Sequence, residues 1–133
     1  MRTFSSAIHE FTVRDDGLLV ANEINLDTPR TSQNVSETLD VLQQALGGSR
    51  IPGIWCAISM PEFPPTVWPV FVNRIGEALI ALAILADEQV EKTLGAFPDV
   101  INSLLIPVRL FHTEDEAVEW LLQFVDAEPT RHL

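Results

Sequence analysis

The sequence holds one cysteine, Cys56, so no disulfide closes within the chain and no zinc site with two thiolates forms from one copy. Such usage fits a reducing interior. Basic residues are also scarce: eight Lys and Arg stand against nineteen Asp and Glu, a formal charge of −11. Without a basic stripe, phosphate backbones and anionic membrane surfaces repel the chain, which argues against nucleic acid as a partner. The longest strongly apolar run, Ala78 to Ala86, falls well short of the roughly 20 residues that a transmembrane helix needs. The opening Met1-Arg2-Thr3-Phe4-Ser5-Ser6 lacks the apolar stretch of an export signal, which predicts a cytoplasmic protein. GxSxG, Walker and GxGxxG strings are absent, and no Ser-His-Asp or Cys-His set assembles from the motifs present. The sequence therefore predicts a protein that is not an enzyme and carries no cofactor.

What is present suffices for one core. Of the 133 residues, 47% are hydrophobic and 20% charged, a balance that predicts a single domain over residues 1–128 and a free tail over 129–133. Ile8 to Arg14 alternates apolar with polar residues, Asp15-Asp16-Gly17 supplies a turn, and Leu18 to Ile24 returns as the second strand of a hairpin. On that second strand Leu18 and Val20 share one face and Leu19 and Ala21 the other. A helix starts between Thr28 and Ser32, carries the stripe Val35, Leu39, Leu42 and Leu46, and stops at Gly47-Gly48.

Ile51 to Ser59 reads as a strand buried on both faces, with Pro52 and Gly53 at its entrance. Met60-Pro61-Glu62-Phe63-Pro64-Pro65 cannot extend it, because three of its six residues have no backbone donor. Thr66 then caps a helix from Val67 to about Ala78 with the stripe Val67, Phe71, Ile75 and Leu79. Leu79 to Leu85 suits another buried strand, Asp87 caps a helix over 88–101, and Pro107 to His112 reads as the last strand. Thr113-Glu114-Asp115-Glu116 meets the capping-box pattern ahead of a helix to about Asp126, with Ala117, Trp120, Leu121 and Phe124 inward. After the hairpin, strands alternating with helices predict an α/β fold built on a mixed, largely parallel sheet.

Several strings within this order resemble the STAS superfamily, named for sulfate transporters and anti-sigma-factor antagonists, and in particular its small bacterial STAS/Sec14-like branch. They are Asp15-Asp16-Gly17-Leu18-Leu19, Ala81-Leu82-Ala83-Ile84-Leu85 and, most distinctively, the run from Pro107 through Thr113-Glu114-Asp115-Glu116 to Leu121. The resemblance implies an N-terminal hairpin, about four helices set mainly on one side of the sheet, and a regulatory or binding role without chemistry. In the antagonist members a kinase phosphorylates a Ser or Thr at the start of the helix after the third strand, in an Asp-Ser-Ser context. Thr66 is the nearest position, but it follows Pro65 and precedes Val67, a departure from that pattern; Ser59 is a second hydroxyl nearby.

Three aromatics, Phe63, Trp68 and Phe71, surround the proline-stiffened stretch and are candidates to line an apolar groove or a protein interface. The partner is then another protein or a second copy in a homodimer. A small apolar ligand held between the sheet and the helices that contain Val67–Leu79 and Val90–Leu105 is the alternative, with Ala81, Ala83 and Ala86 leaving room. His9, His112 and His132 lack the i,i+4 spacing of a helical metal site, so no metal is expected. Glu114, Asp115, Glu116 and Glu119 read as capping and a solvated face, and Cys56, in an apolar strand, as packing.

Overall fold

Alternation and one tight turn build the amino-terminal part of the sheet. In the computed structural model, which describes residues 2–25, 27–29, 31–56, 68–88 and 106–125, β1 (Arg2–Ser5), β2 (His9–Val13) and β3 (Leu19–Glu23) form an antiparallel meander. Gly17 takes a φ of 90° in the β2–β3 turn, a conformation that favours glycine, and Leu18 N–H donates to Asp16 Oδ1 at 3.2 Å. β1 is an addition to the expected hairpin. It is short and mostly exposed, and it is held by pairing with β2 and by Phe4 stacked on Phe11 at 5.3 Å.

β4 (Ile51–Cys56), β5 (Leu79–Leu85) and β6 (Val108–Phe111) then join β3 in parallel, so the six strands lie side by side in chain order. The sheet is thus mixed and largely parallel after its N-terminal hairpin. Pro52 and Gly53 lie inside β4 and are buried, not at its entrance as the sequence suggested. The missing N–H of Pro52 is accommodated where the β4–β5 register shifts, between Ile51 and Pro52. A Cβ on Gly53 would come within 3.1 Å of Leu79 Cδ2 and 3.3 Å of Leu19 Cβ, so glycine lets three strands close up under the helices.

Helices cover both faces. Helix α1 (Ser32–Leu46) starts from Thr31, whose hydroxyl accepts Asn34 N–H, and ends at Gly47 in the left-handed conformation. Its buried residues are the expected stripe plus Thr38, whose hydroxyl pairs with Ser6 Oγ at 2.8 Å. Helix α2 (Trp68–Ile75) ends three residues before the expected stop, in a turn over 76–78. With α1 it covers the sheet face that carries Phe11, Leu19, Ala21, Trp55, Leu82 and Ile84.

Helix α3 (Glu114–Leu122) packs on the opposite face, against Leu18, Val20, Ile54, Ala81, Ala83 and Phe111. Ala117 and Leu121 are fully buried there, whereas Trp120 and Phe124 are only half-buried. The Thr113 hydroxyl accepts Glu116 N–H at 3.3 Å and donates to the Glu116 carboxylate at 2.9 Å. These three helices lie among the described residues; of the helix expected over 88–101, only Glu88 is described, in helical conformation, and the rest lies outside. No helix among the described residues is long and apolar enough to cross a membrane.

One side chain ties α2 to α1. The Arg74 guanidinium donates to the Ser36 carbonyl and hydroxyl at 2.9 Å each, to Asp40 Oδ1 at 2.6 Å and to Gln43 Oε1 at 2.7 Å. Replacing Arg74 by Met retains much of the apolar stem and removes all four bonds. We expect R74M to cost ~1–3 kcal/mol in urea unfolding, because polar partners on α1 lose a charge-assisted donor; an unchanged midpoint would show that the clasp contributes nothing.

Candidate functional site

The parallel strands β3, β4, β5 and β6 end at Glu23, Cys56, Leu85 and Phe111, on one edge of the sheet. β2 runs the other way, so its first residue, His9, arrives at the same edge and pairs with Glu23. His9 Nε2 lies 3.0 Å from Glu23 Oε1, and both side chains are nearly sealed, at 3% and 4% exposure. A carboxylate only accepts, so in a neutral ring Nε2 carries the hydrogen and Nδ1 presents a lone pair. Nδ1 is buried and meets no hydrogen-bond partner among the described residues.

Aromatic rings enclose this pair. The Trp55 indole stands edge-on to the His9 ring at 4.8 Å, Phe11 stacks on it at 5.9 Å, and Phe71 from α2 meets Trp55 edge-on at 5.3 Å. Ala21, opposite Trp55 in β3, adds little side-chain volume to the row. The arrangement sets an oriented acceptor within an apolar wall, at the carboxyl edge of the parallel strands.

The opposite face carries different chemistry. Cys56 packs against the α3 side, where burial, with the Glu114 carboxylate adding to it, pushes the thiol up to about 11. Arg109 lies over the Phe111 and Trp120 rings at 5.2 and 5.9 Å. Among the described residues, no group of three His, Cys, Asp or Glu side chains is placed to hold a metal ion.

Residues 59–125 match the model of a domain of unknown function, DUF7793, just over half of the chain. The chain belongs to the DUF7793 family. Its matched stretch runs through α2, β5, β6 and α3 and leaves out the strands that carry His9 and Glu23. No curated protein and no solved structure matches the chain.

The residues singled out from the sequence divide in two. Phe71 lies at the α2 end of the aromatic row and is 7% exposed, part of the core shared by α1, α2 and the sheet. The backbone of Trp68 opens α2. Phe63, Thr66 and Ser59 lie outside the described residues. Sequence reasoning passed over the His9–Glu23 pair, although the pattern held its signal: with Val13 opposite Leu19 across the turn, antiparallel counting sets His9 opposite Glu23.

Two outcomes follow from this geometry. His9→Leu removes the imidazole that meets Glu23 and should cost ~1–3 kcal/mol in urea unfolding, whereas His9→Leu with Glu23→Leu should recover part of that loss. Equal destabilisation of the single and double variants would contradict a coupled pair. The raised Cys56 thiol should react with a disulfide reagent at pH 8 at least about tenfold more slowly than a free thiol, since little thiolate is present; a rate equal to that of the unfolded chain would contradict this.

Proposed function

We propose that the protein is a non-catalytic, STAS-like regulatory or binding module acting through residues 60–71, the stretch that joins β4 to α2. The observation that carries this reading is topological. β4 ends at Cys56 on the carboxyl edge of the parallel strands and α2 begins at Trp68, so the residues between them start from that edge. That stretch holds three prolines and Phe63, and Trp68 opens α2; Phe71, singled out with them from the sequence, is buried in the core and does not serve as an anchor. Aromatic anchors on a proline-stiffened segment lose little conformational freedom on docking.

The partner in this reading is another protein or a second copy of the chain, in the cytoplasm, with no metal, cofactor or nucleic acid involved. The formal charge of −11 favours a partner surface with basic character. Thr66 and Ser59 are the hydroxyls at which phosphorylation would alter docking, by adding a dianion to this stretch.

A specific observation favours a second reading, carriage of a small, largely apolar ligand: the row of His9, Phe11, Trp55 and Phe71 at the same edge. Affinity capture from the native host, comparing wild type with Phe63→Ala/Trp68→Ala, separates the two. Loss of one specific protein from a double variant that still melts cooperatively supports docking through 60–71. Recovery of the same proteins by both baits overturns that surface, and a copurifying small molecule in native mass spectrometry moves the function to carriage.

A further inference from the structure

Nδ1 of His9 is a buried polar atom that meets no partner among the described residues, on a side chain whose other nitrogen is fixed by Glu23. Burying an acceptor without a donor is unfavourable, and most buried polar groups in folded proteins avoid it. Here the ring is held in place from several directions. Glu23 Oε1 takes Nε2 at 3.0 Å, Trp55 abuts one side, Phe11 stacks on it, and the His9 backbone N–H donates to Ser6 Oγ at 3.1 Å.

We propose that His9 Nδ1 is the acceptor of a ligand subsite for a neutral, flat, ring-bearing molecule with one O–H or N–H donor. This inference rests on the ligand-carrying reading and gives its ligand a chemistry. The lone pair selects a donor, and an anion is disfavoured because Glu23 lies on the far side of the same ring. A fully charged cation would lose its hydration among Trp55, Phe11 and Phe71. The apolar rings select a flat ring that can stack or pack edge-on. His9 is 2% exposed, so a ligand that reaches Nδ1 is itself largely buried.

Phenol and anisole form a matched pair of probes, one ring with the donor and one with a methyl ether in its place. In the protein with 15N-labelled histidine, phenol should shift the His9 Nδ1 resonance upfield in a saturable manner, while anisole at equal concentration moves it by less than a tenth as much. His9→Leu/Glu23→Leu, which removes both polar groups together, should fold and lose at least tenfold in phenol affinity. If anisole binds as well as phenol, carriage of apolar rings stands and the His9 subsite falls. If neither binds, the subsite and the carriage reading fall together. A free protein whose Nδ1 is already protonated, or already hydrogen-bonded to water and unmoved by phenol, also overturns the proposal.

Discussion

Glu23 and His9 sit opposite one another on neighbouring strands, 3.0 Å apart and closed to water, and a pair of this kind constrains everything around it. Each group meets the other in this register, and the contact favours it over a slipped alignment of the two strands. A slip of one residue would turn His9 and Phe11 to the other face and bring Glu10 and Thr12 under the helices. The turn over Arg14 to Leu18 enforces the same register from the opposite end of the hairpin, with Arg14 N–H donating to the Leu18 carbonyl at 2.8 Å. Local turn chemistry and a buried polar contact thus agree on a single alignment.

From that hairpin the rest of the sheet grows strand by strand in chain order, and burial rises towards its middle. β3, β4 and β5 carry apolar side chains on both faces, which requires cover on both. Helices α1 and α2 supply it on the His9 side and α3 on the other. The two covers have different character. The first is clasped by Arg74, and the second, among the described residues, is helix α3, whose capped, acidic start suits the positive end of its dipole. The polar pair lies on the side that α1 and α2 cover, at the carboxyl edge where β4 ends.

Much of this order was legible in the sequence, because the signals were local. The stripe Val35, Leu39, Leu42, Leu46 with glycine behind it marks α1, and the unbroken run Leu79 to Leu85 marks a doubly covered strand. Thr113 ahead of three acidic residues marks α3. What escaped was fixed at long range. β1 exists because β2 offers it an edge and Phe11 offers it a ring. Pro52 stays inside β4 because the pairing with β5 shifts beside it. The site was legible only in part: Phe71 was singled out as an aromatic beside the proline stretch, but its place in the row depends on Trp55. His9 looked like an isolated histidine because its carboxylate lies fourteen positions away in the chain.

The central claim is that His9 is sealed against aromatic rings at the carboxyl edge by its contact with Glu23. Proton–proton NOE spectra of the aromatic region, recorded with and without a soluble paramagnetic agent, test it most directly. The account predicts cross-peaks from the His9 ring to both Trp55 and Phe11, and signals that survive the agent while those of exposed His112 fade. A His9 ring without those cross-peaks that fades together with His112 would contradict it.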